Sequence, residues 1–482
     1  MKDFEAMFAK MKRARAGSGS FPRMERNYCY TGREYSLEEI IDIINSGSIP
    51  QMAKLSRHFF QTNGLYRRIV LYFSTMLLYE SVLSPRFDNR GIPEKKDFLS
   101  NFQQALRFID DMSIPKELVR IFTTMLVDGS YAGLVQIGEK VMFADLPMEY
   151  CRSRFRSPND NQILEFNVQY FSSIQRYQDE VISSFPDTII NYYERFSAGK
   201  EVSPWYVCSE DEGVFFTCSL DGNAGKASAP PFFAQIIPAI ARLKEYQDAD
   251  LEIAKEELSK LVISKIPLDK DNELAFEPEE IQATHNGIAE MLRDNPHVDV
   301  ITTFCDTEVA SLGSHSEAVR RDLDNISKLV YNEAGVTKQV FNNDSAMAIK
   351  LSVANDLSLV MSLLRPFQHW VTWLINDKFT KNEIFSYEFA LLPISYYNRE
   401  DIYNLYVKGA QYGYSKFLAG SALGIKQSDL MALVTIENDF LDLGNRMIPL
   451  RSSHTTSGKE TGTPKKDLED LSQKSVDNRE SE

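Results

Sequence analysis

The 482-residue sequence predicts an α+β chain that is mainly helical. Three observations carry this. Helical patterns run over 240–262, 314–334, 345–379 and 398–449. Leu164, Phe166, Val168 and Tyr170 alternate as a half-buried strand requires. With 43% hydrophobic residues the chain can bury real cores, over a length suited to two or three domains or one elongated subunit of several parts.

In chain order, "YSLEEIIDIINSG" (35–47) predicts a short helix with Ser36 as N-cap, Glu39 at the capping-box position and Gly47 as its stop. "LYRRIVLYFSTMLLYESVL" (65–83) predicts a more apolar helix, with Leu65, Ile69, Phe73, Met76 and Leu77 on its buried face. The stretch 141–171 reads as strands around the turn "SPND", and 204–225 as further strand material ending in a loop. Pro238 suits the first turn of a helix reaching about Val262, with Ile240, Leu243, Ile253, Ala254, Leu258 and Leu261 as its apolar stripe.

The block 263–312 is mixed, with a helix over 278–294 and a strand "VDVITTF" (298–304). Ser314 and Glu317 then fit a capping box. Val319, Leu323, Ile326 and Val330 step by 4, 3 and 4, and Gly335 is a good C-cap. A helix from about Ser345 to Phe379 would be about 50 Å long, with a kink at Pro366. Tyr387–Leu392 suggests one more strand, and 398–449 is helical again.

Charge and cysteines bound the function. The net charge of -15 argues against a protein that wraps polyanions. Cys29, Cys151, Cys208, Cys218 and Cys305 form no C-x-x-C pair, as expected of reduced thiols in a cytosolic setting. The start shows no signal-peptide core, and "IVLYFSTMLLY" (69–79) is too short to span a bilayer, so no membrane partner is expected. Residues 1–26 carry seven cations against three anions and read as a flexible basic arm. Residues 451–482 hold only Leu468, Leu471 and Val476 as aliphatics and read as a disordered tail.

Enzyme motifs fail one by one, and neither catalytic residue nor cofactor is expected. "LDGNAGKAS" (220–228) has Leu220 where a phosphate loop needs its first Gly, and Ala227 where it needs Ser or Thr, so a polar loop is the better reading. "DKDNELAFEPEE" (269–280) sets acids at calcium-loop spacing, but Leu274 takes the glycine position and Pro278 intrudes; a solvated acidic loop is the alternative. His297 and Cys305 straddle a strand without completing a zinc set. In "CRSRFRS", Arg152, Arg154 and Arg156 fall on one face of a strand. They read either as a phosphate-contacting stripe or, the favoured reading, as a basic face paired with acids of this chain or a neighbour.

Four stretches in order resemble portal proteins of tailed bacteriophages, closest to those of phages of Gram-positive hosts. They are "LSRHFFQTNGLYRRIVLYFSTMLLYE" (55–80), "DLPMEYCRSRFRSPNDNQILEFNVQYF" (145–171), "AGVTKQVFNNDSAMAIKLSVANDLSLVMSLLRPFQHWV" (334–371) and "LAGSALGIKQSDLMALVTIENDFLDLGNRMIPLRSSHT" (418–455) with its "GTPKKD" tail. The resemblance implies a ring of twelve identical subunits at one capsid vertex, through which double-stranded DNA is pumped by a terminase large subunit and later leaves. It implies as further partners the major capsid and scaffolding proteins and a head-completion adaptor, and as location the virion, after assembly in the host cytoplasm. It lays the chain out as a wing over 27–229, a first stem helix over 230–262, a clip over 263–312 and a second stem helix over 313–334. A tunnel loop over 335–345, a long kinked helix and wing over 346–397 and a helical crown over 398–450 follow. The alternative from another class is a ring-forming capsid or tail-adaptor protein that does not conduct DNA.

The resemblance also implies roles for single residues. The tunnel loop would present Lys338 to Asp344, Gln339 among them, to the DNA: Lys338 would touch phosphate transiently, Val340 and Phe341 would offer a neutral surface, and Asn342, Asn343 and Asp344 would end the loop, one of them capping the next helix. Gly335 and Pro366 would be structural hinges. A Phe on an interhelical turn is equally well a core plug. Phe341→Ala separates the two, since emptying a buried Phe site costs about 3–5 kcal/mol and truncating a channel-facing one costs little.

Overall fold

The computed structural model describes residues 34–87, 93–138, 140–174, 181–182, 184–219, 228–258, 260–265, 277–292, 298–303, 316–335, 346–381 and 383–442. The arm expected over 1–26 and the tail over 451–482 lie outside them. The chain divides into two units, Met1–Gln427 and Ser428–Glu482. The fold is mixed α and β, mainly helical.

The first unit opens with α1 (Leu37–Asn45), α2 (Ile49–Thr62) and α3 (Gly64–Thr75). Ser36 Oγ accepts the Glu39 amide at 3.2 Å, and Gly47 leaves α1 at φ +66°, as the local signals predict. Asn63 separates α2 from α3, its carboxamide accepting the Tyr66 amide at 2.9 Å. α4 (Lys95–Asp111) and α5 (Ile114–Asp128) follow, and α5 packs on α2 and α3. Leu55, Tyr66, Ile69, Phe73 and Phe122 are buried in this region. The buried Tyr66 hydroxyl is satisfied by Ser56 Oγ at 2.7 Å.

A single helix over 65–83 does not form. α3 ends at Thr75, Tyr79 takes φ +57°, and β1 (Ser81–Phe87) pairs antiparallel with β10 (Phe385–Leu391). Helical periodicity alone could not report a strand partner some 300 residues away. Pro85 sits in β1 without breaking the ladder. The Leu83 amide, two residues earlier, points outward to Gln427 Oε1 at 2.7 Å, so the N–H that Pro85 lacks would also face away from β10.

At Gly129 the chain turns from α5 into β2 (Ser130–Ile137) at φ +81°. A Cβ there would lie 2.0 Å from the Ala229 carbonyl oxygen, so no other residue fits. β2 is central between β3 (Val141–Asp145) and β7 (Gly213–Thr217). A second antiparallel sheet joins β4 (Cys151–Arg152), β5 (Glu165–Asn167) and β6 (Trp205–Val207). The strand expected over 164–170 is thus shorter. Leu164, Phe166 and Val168 are all buried as the alternation requires, but Phe171 N–H bonds Val168 O at 3.1 Å and Tyr170 opens a short helix, α6 (Tyr170–Ser173). That turn lets Phe171 and Phe185 close on Phe166, beneath Ile189 of α7 (Asp187–Ser197).

α8 (Ile237–Leu258) starts where the sequence puts it but ends earlier than the expected limit near Val262. Pro238 does fall in its first turn, but residues 260–262 belong to β8 (Lys260–Lys265). The run Leu261–Val262–Ile263 serves a strand as well as a helix stripe, and the parallel partner β9 (Val298–Thr303) decides it. α9 (Pro278–Leu292) lies between these strands in sequence, and α10 (Ser316–Glu333) packs back along α8. Ser314, the expected cap of α10, lies outside the described residues. α11 (Ala346–Leu363) and α12 (Arg365–Phe379) precede β10.

After β10, α13 (Arg399–Gln411) and α14 (Lys416–Ala422) cover a small core of Val82, Leu392, Ile394 and Ala422. α15 (Gln427–Thr435), which enters the second unit at Ser428, passes into a π turn, Ile436–Phe440, closed by Leu441 N–H to Ile436 O at 2.9 Å.

Candidate functional site

The candidate loop is bounded by two elements. α10 buries Val330 and Ala334, then stops at Gly335, whose φ of +71° and N–H bond to Asn332 O (3.1 Å) make it the expected C-cap. A Cβ at Gly335 would meet nothing within 4 Å, so the demand for glycine there is conformational, not steric. Lys338, Gln339, Val340, Phe341, Asn342, Asn343 and Asp344 lie outside the described residues, and α11 begins at Ala346.

The helix expected over 345–379 is broken at one residue. α11 ends at Leu363, Leu364 sits at φ −88°, ψ −4°, and α12 restarts at Arg365 with Pro366 in its first turn. Pro366 has no N–H to give the preceding turn and its fixed φ suits a helix start, so the break lies where the sequence puts it.

Below the break, α12 is tied to β10 by one polar side chain per turn. Gln368 Oε1 accepts the Leu391 amide at 2.9 Å, and Thr372 Oγ1 accepts the Phe389 amide at 3.1 Å. Asn376 takes both groups of Tyr387, accepting its amide and donating to its carbonyl, each at 2.8 Å. The spacing i, i+4, i+8 on the helix meets alternate residues of the strand, so each bond lands on a backbone group that β1 does not use. On another side of α12, His369 Nε2 lies 2.6 Å from Asn159 O, and Trp370 Nε1 donates to Glu210 O at 2.9 Å.

Above the break the attachment is different. α11 buries Val353, Leu357, Val360 and Leu363, an apolar stripe. Within that stripe's half of the helix sits one buried carboxylate, Asp356, whose Oδ2 accepts from Tyr72 Oη of α3 at 2.9 Å. Burial pushes the Asp356 carboxyl above the ordinary range, and the Tyr72 bond opposes that shift without cancelling it. An exposed pair, Lys350 Nζ to Asp401 Oδ2 at 3.0 Å, joins α11 to α13.

The three arginines of "CRSRFRS" do not form a free stripe. Only Arg152 lies in a strand, and Glu165, with no side-chain exposure, takes Arg152 Nε at 2.7 Å and Arg154 Nε at 3.0 Å. The Arg152 guanidinium also stacks 3.6 Å over the Trp205 ring. Arg156 pairs with Asp160 at 2.7 Å across the "SPND" turn. Pairing with acids of the same chain is therefore what these residues do. The signal missed in the sequence was Glu165, a lone carboxylate in the next strand, opposite Arg152.

Arg156, Gln162, Arg365, Pro366 and His369 line an open groove of about 600 Å³ beside the break. Gln162 Oε1 faces no hydrogen-bond partner among the described residues. Cys151, Cys208 and Cys218 are buried, and burial raises the Cys208 and Cys218 thiols, which disfavours their thiolates. The polar loop at 220–227, residues 269–276 of the acidic loop, and His297 and Cys305 lie outside the described residues. Among the described residues no cluster of His, Cys, Asp or Glu could hold a metal, and no helix is long and apolar enough to cross a membrane. No protein-family model matches the chain, and no curated protein matches it.

Proposed function

We propose that the chain is a portal subunit of a tailed bacteriophage, a ring former whose channel passes double-stranded DNA during packaging and ejection. The observation that supports this most is the order of elements α8, β8–α9–β9, α10, Gly335, α11 and α12. Two long helices pack on each other around a small parallel two-stranded insertion, as a stem carrying a clip requires. The chain then reaches the proposed tunnel loop and a long helix broken beside Pro366. Ring assembly from about twelve copies, docking of a terminase large subunit and a head-completion adaptor, and contact with capsid and scaffolding proteins belong to the same reading.

The physical logic is that of a low-friction channel. Each phosphate that a wall neutralises releases counterions and tightens binding steeply, so a chain that lets DNA slide must offer few fixed cations. A net charge of -15 is consistent with that, as is the sequestering of Arg152, Arg154 and Arg156 by Glu165 and Asp160. A single Lys338 in the loop would supply a weak, repeated phosphate contact. Negative-stain images of the purified chain test the reading. Rings with an open centre are expected; closed discs would favour a ring-forming adaptor that conducts no DNA, and dispersed monomers would overturn both.

A further inference from the structure

Two exposed apolar surfaces on this chain carry opposite charge. The first is on α13 and α14. α13 buries none of its residues. Leu405 and Tyr412, seven residues apart and so on one face, are 64% and 85% exposed, and Tyr414 follows them into solvent. Lys408 and Lys416 flank these rings, are exposed, and join no ion pair among the described residues. The second surface is the strip at 433–441. Leu433, Ile436 and Phe440 are exposed there, Phe440 by 77%, beside Glu437 and Asp439. No Lys or Arg occurs between Gln427 and Asp442.

Resting on the ring reading above, we propose that the acidic apolar strip of one copy docks on the basic tyrosine face of a second copy. Large rings and aliphatics left bare on one side of a chain mark an interaction surface, and Tyr beside Lys suits a contact that is apolar at its centre and charged at its rim. The charges choose the partner surface. Tyrosine face against tyrosine face would set Lys against Lys, and strip against strip would set acid against acid. A face-to-strip contact sets Lys408 and Lys416 against Glu437 and Asp439, and because the two surfaces differ it is heterologous. Such contacts propagate from copy to copy and close into a ring when the rotation allows.

The test uses the full chain and two charge reversals, Lys408→Glu with Lys416→Glu in one variant, and Glu437→Lys with Asp439→Lys in the other. All four side chains are exposed, so circular dichroism should show wild-type melting for both. Sedimentation at micromolar concentration should show large assemblies for wild type and association weakened about tenfold or more for each variant alone. In each variant both surfaces then bear one sign of charge. A one-to-one mixture restores opposite signs at every contact, and large species containing both variants should reappear. Phe440→Ser, which removes an exposed ring without altering charge, should weaken wild-type association too. Monomeric wild type would overturn the ring reading and this one together. Assembled wild type with unaffected variants, or a mixture of folded variants that stays dissociated, would overturn the docking alone.

Discussion

α11 and α12 are the two halves of one helical stretch of sequence, and they are held in opposite ways. α12 is hydrogen-bonded to the β10 backbone through Gln368, Thr372 and Asn376, and to the Asn159 and Glu210 carbonyls through His369 and Trp370. α11 rests on Val353, Leu357, Val360 and Leu363, with the Tyr72–Asp356 bond as its buried polar tie. Apolar contact has no direction, so it fixes which face is down but not the angle or register along the neighbour. Hydrogen bonds to backbone groups fix both. The break at Leu364 therefore separates a half whose position is set in detail from one whose position is set by a stripe.

The largest effect that would break this comparison is at Asn376. Asn376→Leu keeps the branched shape but removes both bonds to Tyr387, leaving an N–H and a C=O unsatisfied; a loss of about 2–4 kcal/mol in chemical denaturation is expected. A loss under about 1 kcal/mol would show that water replaces the ladder and that α12 is no better fixed than α11. Tyr72→Phe should cost less, about 1–2 kcal/mol, since it strips one bond from Asp356 and leaves the apolar stripe intact. Amide exchange should then rise in α11 while α12 stays protected, which is the sharper readout.

Asp356→Asn works in the other direction. The folded state raises the Asp356 carboxyl, so its contribution favours the fold at low pH and is lost as pH rises through the folded value. The Asn variant, which Tyr72 can still donate to, should melt higher than wild type at pH 7, and the gain should vanish below about pH 3, where the acid is protonated in both states. A gain independent of pH would mean the carboxylate is not the cause. The smallest effects belong to Gly335 and Pro366. Gly335→Ala should cost about 1 kcal/mol, from positive φ alone, because nothing stands near its Cβ. Pro366→Ala should change stability by under about 1 kcal/mol, since the proline sits in a first turn where it breaks no bond.

What could be read from the sequence differs between the ends of elements and their partners. The Ser36 cap, the Gly47 and Gly335 stops and the break beside Pro366 are written in two to four neighbouring residues, and each stands where those residues imply. Helix Pro278–Leu292 and strand Val298–Thr303 also follow their own patterns. The polar triplet Gln368, Thr372, Asn376 was legible only as an oddity, three hydrogen-bonding side chains four residues apart, and its strand lies beyond a turn that periodicity does not describe. The site residues Lys338 to Asp344 lie outside the described residues, so of the candidate loop the fold reports its two flanks.

Local signals determined where this chain caps, stops and breaks, because those events depend on φ, on a missing N–H, or on an oxygen within three residues of its amide. Only the tertiary structure decided that Ser81–Phe87 is a strand rather than the end of a helix, and that Lys260–Lys265 leaves α8. The same holds for Arg152 and Arg154, which spend their charge on Glu165. In each case the deciding partner lies on another element, and the free energy of a strand pair or a buried ion pair exists only once that partner has been brought alongside.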